Sequence, residues 1–249
     1  MKEDKIVLAN AMDKLSKCEE RYTPERTDFL DMHQRAIVEN ALKYEKYECR
    51  KEFFGGYEDA ERVVCLFLPD YAEISENCGL AVARVKVVPG GRMLTHRDYL
   101  GSLLALGIKR EKTGDIIVRE DGADIIIAEE LADFISLNYD KAGRTSLSVE
   151  ILPIDALQIG EVKYKETEDT VASLRLDNVI SSAFGISRSK ATEAIKKGIV
   201  FLNNIECLKV DKEVSEGDKL VLRGKGKAYL IEIGGISRKG RVYVKFRVY

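Results

Sequence analysis

The stretch SLRLDNVISSAFGISRSKATEAIKKGIVFLNN, residues 173–204, decides the fold that we predict for the C-terminal part of the chain. Its first half places apolar residues at the spacing of one helical face, at Leu176, Val179, Ile180, Ala183 and Phe184. Gly185 can end this helix, and Ser187 is a natural N-cap for a second one. The sequence therefore predicts two short helices joined by a tight turn.

The second helix carries a narrow face of small residues, Ala191 and Ala194 beside Ile195, which lets the two helices approach closely. After Gly198, the segment 199–207 indicates a tight hairpin around Asn203-Asn204, because asparagine tolerates the positive φ that such turns need. Further strands are expected at 219–223 and in a final hairpin around Ser237-Arg238-Lys239-Gly240.

The charge of the chain is unevenly distributed. From Val171 onward there are 16 Lys+Arg against 8 Asp+Glu, a net charge of +8. Subtraction from the totals of 40 and 42 leaves 24 against 34, or −10, for residues 1–170. A basic half in a chain of balanced charge favours binding to a polyanion, because each Lys or Arg at a phosphate releases condensed counterions.

The cations of this basic half converge on the predicted helical hairpin. Arg175 opens the first helix, whereas Arg188 and Lys190 lie in the first turn of the second helix and Lys196 and Lys197 in its last. The free N–H groups at Ser187-Arg188-Ser189 add a site for a phosphate oxygen. The pattern favours an RNA-binding face; the alternative is a solvated basic helix face.

The middle of the chain alternates strands with short helices. Strand-like segments at 81–88, 115–119, 123–127 and 145–152 are interrupted by helices that begin at Thr95 and Glu129. Strand, helix, strand, strand, helix, strand is the order of a ferredoxin-like α+β unit, the layout of many RNA-recognition (RRM-like) domains, although that layout hosts many other functions.

The organisation that we predict is α+β, with a helical N-terminal region at 1–73, a ferredoxin-like domain at 74–166 and an RNA-binding domain at 170–249. In the N-terminal region, apolar residues recur at helical spacing on either side of Pro24. A short buried strand is expected after them, at 63–68. The charged segment 159–170 is expected to be a linker or an exposed hairpin.

Catalytic and metal chemistry find little support in the sequence. The five cysteines are scattered without a C-x-x-C pair, and His33 and His96 have no local metal-ligand spacing. The motif His96-Arg97-Asp98 could suggest a catalytic pair of histidine and aspartate. These two residues are two positions apart on a helix, so their side chains point away from each other. Thr95 and Asp98 are better explained as a helix cap. We predict no catalytic residue, no metal site and no cofactor.

The targeting signals of other protein classes are equally lacking. No run approaches the roughly 18 apolar residues of a membrane span, and the N-terminus Met1-Lys2-Glu3-Asp4-Lys5 has no apolar signal stretch. We therefore expect a cytoplasmic protein without a membrane partner.

The C-terminal motifs resemble the S4 RNA-binding domain of ribosomal proteins. The resemblance lies in segments 173–177, 185–191, 195–200, 202–204 and 216–218. It implies that structured RNA is bound by Arg175, Ser187, Arg188, Ser189, Lys190, Lys196, Lys197 and Asn203, to which we add Lys225 and Lys227 of the following turn. At the hairpin tip, Asn204 and Ile205 stand where the family usually has a glycine and a basic residue.

Upstream motifs are similar to those of the YlmH family of bacterial proteins, and this resemblance covers essentially the whole chain. It lies in segments 55–62 (GGYEDAER), 66–71 (LFLPDY), 94–103 (LTHRDYLGSL) and 107–115 (GIKREKTGD). It implies a ferredoxin-like RNA-binding domain before the S4 domain, a gene neighbourhood linked to cell division, and a role on the large ribosomal subunit in rescuing stalled translation.

Two further surfaces carry candidate RNA contacts. Segment 109–112 after the first middle-domain helix is basic, and in the last strand cations and tyrosines share one face. The additional candidates are Arg97, Lys109, Arg110, Lys245 and Arg247. For both surfaces simple solvation is an equally good explanation.

Three functions remain open at this stage. A non-enzymatic factor that binds ribosomal RNA, the large subunit and peptidyl-tRNA is favoured, since no nucleotide-binding loop or nucleophile elbow occurs and no small-molecule substrate is indicated. The second is an RNA-modifying enzyme related to pseudouridine synthases, in which an Arg-Leu-Asp motif carries the catalytic Asp. Here Arg175-Leu176-Asp177 lies inside the S4-like motif itself, and no segment of sufficient size remains for a catalytic domain. The third is an interaction scaffold in cell division.

Overall fold

The computed structural model describes residues 2–43, 47–159 and 164–249. These residues form two compact units, the first ending at 159 and the second beginning at 164. Within the described ranges, no helix is both long and apolar enough to cross a bilayer.

The first unit contains mixed helix and sheet. Its helices are α1 (Lys2–Arg21), α2 (Met32–Leu42), α3 (Ile74–Asn77), α4 (His96–Ala105) and α5 (Ala132–Asn138). Its strands are β1 (Glu25–Arg26), β2 (Arg50–Phe54), β3 (Val64–Leu68), β4 (Leu80–Val87), β5 (Thr113–Val118), β6 (Gly122–Ala128), β7 (Lys141–Ala142) and β8 (Thr145–Pro153).

The N-terminal region is helical, as predicted, but it also forms an antiparallel sheet of order β1-β3-β2. The predicted strand at 63–68 is confirmed as β3, which is buried along its whole length. The sequence predicted helix on either side of Pro24 and no strand there, whereas the structure places β1 between α1 and α2. Because β1 has only two residues, it gives no period-2 pattern that the sequence could reveal.

The middle region has the predicted ferredoxin-like order. Its sheet runs β5-β6-β4-β8-β7, and the neighbouring strands are antiparallel. α4 and α5 cover one face through a core that contains Ala83, Tyr99, Leu103, Ile125 and Ile135. The predicted α+β fold is therefore confirmed for this region.

The capping interpretation of Thr95 and Asp98 is also confirmed. Thr95 accepts from the Asp98 backbone N–H, while the Asp98 carboxylate accepts from the Thr95 backbone N–H at 2.8 Å. Arg92 donates to the same carboxylate at 2.6 Å, and this hydrogen bond, with those from Thr95, holds the pKa of Asp98 well below its ordinary value. The aspartate is thus committed to a helix terminus and is not available to orient His96.

The N-terminal sheet packs on the other face of the middle sheet. Phe29, Val64 and Leu66 belong to the same buried cluster as Val82 and Ile126. The boundary predicted near residue 73 therefore crosses a shared apolar core, and the two regions form one unit.

Asp115 of β5 links these two regions by hydrogen bonds. Its carboxylate accepts from the Tyr57 hydroxyl at 2.8 Å and from the backbone N–H groups of Glu61 and Arg62 at 2.7 and 3.2 Å. Burial, together with the neighbouring carboxylate of Asp115, raises the pKa of Tyr57, which keeps its hydroxyl protonated and able to donate. The motif at 55–62 is thus explained by its contacts with β5.

The second unit packs two helices against one sheet. Its elements are β9 (Lys165–Val171), α6 (Leu176–Ala183), α7 (Arg188–Lys196), β10 (Val200–Leu202), β11 (Ile205–Glu206), β12 (Lys219–Leu222), β13 (Gly226–Ile236) and β14 (Val242–Val248). The sheet has the order β11-β10-β12-β13-β14-β9.

The helical hairpin predicted from residues 173–204 is confirmed. Val179 and Ile180 of α6 and Ala191 of α7 are buried in the core of the unit, together with Leu230 and Phe246 of the sheet. Burial of each large apolar side chain contributes about 1.5–3 kcal/mol. This core, rather than intrinsic propensity, stabilises helices of only eight and nine residues.

The turns that join these elements use left-handed backbone where the sequence indicated it. Gly185 and Gly198, which follow α6 and α7, have φ of +59° and +69°. Asn203 and Asn204 have φ of +51° and +66°, which matches the twist of a two-residue hairpin between β10 and β11.

Part of the segment predicted as a linker is instead a strand. β9 forms the edge of the C-terminal sheet and pairs with β14 along its whole length, from Lys165 opposite Val248 to Val171 opposite Val242. Its charged residues gave the pattern expected of a linker, because an edge strand with a solvated face tolerates charged side chains. The sheet thus begins five residues before Thr170, and residues 160–163 lie outside the described part of the chain.

Replacing Asp115 with Ala should destabilise the first unit. The substitution leaves the Tyr57 hydroxyl and two backbone N–H groups without their acceptor, so we expect the free energy of unfolding to fall by about 2–4 kcal/mol. Hydrogen–deuterium exchange of β3 and β5 in urea measures this loss. Asp155→Ala, which removes an exposed carboxylate from the same unit, is the control, and equal protection in both variants would contradict the assignment.

Candidate nucleic-acid interface

A buried carboxylate lies at the centre of the predicted RNA-binding face. Asp177 is 2% exposed, and its two oxygens accept from different arginines. Nε of Arg175 lies 3.3 Å from Oδ1, and Nε of Arg188 lies 2.7 Å from Oδ2. The arginine side chains are themselves 44% and 56% exposed. Asp177 therefore fixes one side of each guanidinium and leaves the other side open to a ligand.

Local structure explains why Asp177 is held so firmly. It is the second residue of α6, where a negative charge is stabilised by the helix dipole. The loop after β11 crosses this helix end, since the N–H groups of Leu176 and Asp177 donate to the carbonyls of Lys212 and Val210 at 2.8 and 3.1 Å. The Asn178 N–H also donates to Oδ1 of Asp177 at 3.0 Å.

The same loop supplies two cations that the sequence analysis missed. Lys209 and Lys212 are exposed, and neither has an ion-pair partner among the described residues. The contact between Lys212 and Leu176 joins residues 36 positions apart, so no local pattern could have indicated it.

The first turn of α7 matches the prediction. The Ser187 side chain accepts from the backbone N–H of Lys190 at 3.3 Å, which makes it the N-cap. Its hydroxyl lies 3.1 Å from that of Ser189. Lys190 and Lys196 are exposed, and the described structure gives neither of them an ion pair, whereas Lys197 is bound to Glu193 at 2.6 Å. Lys190 and Lys196 are thus the α7 lysines most available to phosphate.

Asn203, which is predicted to contact RNA, has a structural role as well. Its side-chain amide donates to Asp218 at 2.7 Å, and its carbonyl oxygen accepts from the Lys219 N–H at 2.9 Å. These bonds fasten the β10–β11 turn to the start of β12. The side chain is exposed, and the RNA contact that the resemblance implies for it stays a prediction.

The turn between β12 and β13 lies beside the end of α7. The Arg223 N–H donates to the Ile199 carbonyl at 2.9 Å, which places Lys225 of that turn near the last residues of the helix. Lys225 is exposed, whereas Nζ of Lys227 lies over the Tyr249 ring at 5.1 Å from its centre. Of these two predicted contacts, Lys225 is the better exposed.

The cations of β14 are paired with the acidic edge strand. Lys245 lies 2.9 Å from Glu166, and Arg247 lies 3.3 Å from the same carboxylate. Hydrogen bonds from Lys245 and Arg247 lower the pKa of Glu166. The guanidinium of Arg247 also covers the Tyr164 ring at 4.5 Å. The positive charge predicted on this face is therefore largely neutralised within the sheet.

The candidates of the middle region differ from one another. Arg97 is exposed, and Lys109 lies 4.0 Å from Glu111. Arg110 is structural, because its guanidinium donates to the carbonyls of Thr113 and Gly114 at 2.8 and 3.0 Å. Burial, with the nearby charge of Arg62, lowers the pKa of Arg110 to about 10. Arg110 therefore supports the start of β5, and its contact with RNA stays a prediction.

The arrangement around Asp177 is suited to binding anions. It combines arginines with fixed geometry, exposed lysines and a helix N-terminus, which together match the oxygens of a phosphate backbone. Among the described residues, no group of three or more His, Cys, Asp or Glu side chains is placed to hold a metal ion.

Comparison with protein families identifies both domains. Residues 77–156 match the family described as "Putative RNA-binding domain in YlmH", and residues 174–220 match the S4 domain. The former covers the ferredoxin-like region, and the latter covers α6, α7 and β10 through the start of β12.

Comparison with individual proteins gives one relative that matches over almost the whole chain and one solved structure that matches over part of it. "Ribosome-associated protein quality control protein P2" of Bacillus subtilis is 31% identical over 246 residues, which cover 98% of this chain and 95% of the relative. The solved structure of "Cell division protein ylmH from Streptococcus pneumoniae" is 30% identical, covers 61% of this chain and 92% of that one, and has a TM-score of 0.49.

Replacing Asp177 with Asn should weaken RNA binding, although it makes the protein more positive by one charge. The variant releases both arginines, and ordering each side chain on the ligand costs about 0.5–1.5 kcal/mol, so for the two together we expect affinity to fall about 5- to 150-fold. Filter binding to structured RNA measures the change.

The matched control for this variant is Asp211→Asn, which removes an exposed carboxylate from the loop that crosses α6. It makes the same change in net charge, so its affinity should stay equal or rise slightly. If Asp177→Asn bound RNA as tightly as Asp211→Asn, the positioning role of Asp177 would be ruled out.

Proposed function

The chain belongs to the YlmH family, and from that premise we propose that it is a non-enzymatic factor that binds structured RNA through α6, α7 and the loop at 207–214. The observation that carries this proposal is the pair of arginines held by the buried carboxylate of Asp177. A carboxylate that orders two cations before the ligand arrives lowers the entropic cost of binding.

The distribution of paired and unpaired cations supports the choice of this face. Lys190, Lys196, Lys209 and Lys212 are exposed and have no ion-pair partner in the described ranges. Because phosphate contacts release counterions, unpaired cations contribute more to affinity than cations already neutralised by carboxylates. The sheet face around Lys245 has such carboxylates, so we assign the RNA to the helices.

The same carboxylate argues against the catalytic alternative. In the Arg175-Leu176-Asp177 motif, a pseudouridine synthase would need Asp177 to reach a substrate. Here the side chain is 3% exposed, and both of its oxygens accept from arginines. We therefore propose that this aspartate positions the arginines and performs no covalent chemistry.

The cellular target that we propose is the large ribosomal subunit. The name of the Bacillus subtilis relative supports an association with ribosomes and with protein quality control. We propose that the chain acts in the cytoplasm and binds ribosomal RNA on subunits obstructed by peptidyl-tRNA, and that it stabilises one tRNA position while the stalled chain is processed.

Two RNA-binding units in one chain support binding to such a large target. Once one unit is bound, the second acts at a high effective concentration, so modest individual affinities combine into a tight complex. The acidic surface of the first unit therefore need not prevent binding to a highly charged particle. Arg97 is the cation of the middle region that we assign to this second contact.

RNA affinity should depend steeply on salt. If the full chain neutralises about four to six phosphates, the slope of log K against log salt should be roughly −3 to −5. Lys190→Gln with Lys196→Gln should reduce the steepness by about 1.5–2, since two contacts are lost. Binding to purified large-subunit ribosomal RNA at a series of salt concentrations measures both slopes.

The matched control for this experiment is Lys245→Gln with Arg247→Gln, which removes the same charge from the neutralised sheet face. Its slope should equal that of the wild type within error. A wild-type slope near zero, or an equal loss in both variants, would contradict the assignment of RNA to the helices.

The protein should also sediment with ribosomal subunits. In extracts of cells that accumulate stalled chains, we expect wild-type protein in the large-subunit fractions and a Lys190→Glu, Lys196→Glu variant mostly at the top of the gradient. Both residues are exposed, so the variant should keep its melting temperature. Wild-type protein that stays in the free fraction would refute the ribosomal assignment.

A further inference from the structure

The turn between β13 and β14 is a second concentration of positive charge in the C-terminal unit. Arg238, Lys239 and Arg241 lie within four residues, and all three are exposed. In the described part of the chain, no carboxylate pairs with any of them. The turn lies outside both matched family regions, 77–156 and 174–220.

Hydrogen bonds give this turn a defined shape. The Ser237 N–H donates to the Arg241 carbonyl at 2.7 Å, and the Arg241 N–H donates to the Ser237 hydroxyl oxygen at 3.0 Å. Gly240 has φ of +74°, which a glycine adopts without strain. These hydrogen bonds close the turn that carries Arg238 and Lys239.

The strand that leads into the turn is irregular. The register of β13 against β14 shifts between Leu230 and Glu232 and again between Ile233 and Ile236. Such bulges increase the twist of a hairpin and redirect its end. At that end, the Arg241 guanidinium donates to the hydroxyl and the carbonyl of Thr170, which fastens the turn to β9.

This arrangement brings the turn to the same groove as the N-terminus of α7. A groove of about 450 Å³ is lined by Arg188 of α7 and by Arg241 of the turn, with Asn178, Ser181 and Ser182 between them. The hydroxyls of Ser181 and Ser182 are engaged, since they donate to the Ile186 carbonyl and to Asp169 at 2.6 Å. Arg188 and Arg241 also donate within the fold, to Asp177 and to Thr170, but each guanidinium has five N–H donors and keeps some of them for an anion.

We propose that the β13–β14 turn is a second phosphate-binding element, and that the backbone of one RNA strand lies in this groove between the turn and α7. The chemistry fits sequence-independent contacts, because guanidinium and ammonium groups bind phosphate oxygens without contacting a base. Asp169 is the acidic residue that lines the groove, and its carboxylate accepts hydrogen bonds from the Ser182 hydroxyl and from the Thr170 N–H. This inference rests on the proposed function and extends the RNA contact beyond the S4 motif.

Arg238 and Lys239 provide the cleanest test, since Arg241 also fastens the edge strand. The variant Arg238→Gln, Lys239→Gln of the full chain should bind large-subunit ribosomal RNA about 10- to 30-fold more weakly at 0.15 M salt, from the loss of two counterion-releasing contacts. Its salt slope should become less steep by about 1.5–2, and its melting temperature should not change.

The matched control is Lys141→Gln, Arg144→Gln, which removes two exposed cations from the hairpin between β7 and β8 in the first unit. One outcome would overturn this inference but leave the proposed function standing. In it the wild type binds RNA, the Lys190→Gln, Lys196→Gln variant loses affinity, and the turn variant binds as tightly as the wild type. A turn variant no weaker than the control would also overturn it. Absence of any wild-type binding would overturn both proposals.

Discussion

The buried ion cluster of Asp177 is the constraint on which the RNA-binding face depends. A carboxylate that is 2% exposed is costly to bury, and the cost is offset because Arg175, Arg188 and the Asn178 N–H all donate to it. Arg175 is the N-cap residue of α6 and Arg188 is the first residue of α7, so the cluster also fixes how the two helix N-termini present their cations. Fold stability and ligand binding therefore use the same side chain.

Placement of acidic residues decides which surface of the C-terminal unit is available to a polyanion. On the sheet, Glu166 binds both Lys245 and Arg247, so those cations mainly stabilise the edge strand. On the helices, one buried carboxylate serves two arginines, and lysines such as Lys190 add unpaired charge. Net charge alone does not distinguish these surfaces, whereas the pairing of each cation does.

Sequence periodicity predicted the parts of the fold that depend on local pattern. The stripes of α6 and α7, the cap at Ser187 and the turn at Asn203-Asn204 each follow from residues within one or two helical turns. What the sequence could not predict depends on distant residues: β9 is recognised only through its pairing with β14, and Arg110 is structural only because β5 begins beside it. Asp177 was weighed only as a catalytic candidate, and its binding role needed the geometry of both arginines.

The most direct test of this account is the position of protein–RNA crosslinks formed in living cells. After ultraviolet irradiation, mass spectrometry of the purified complex identifies the peptides that carry a nucleotide. The account predicts crosslinks within 175–197 and 207–214, and few within 243–249. Crosslinks concentrated at 243–249, with none on the two helices, would contradict the claim that the arginines held by Asp177 form the centre of the RNA-binding face.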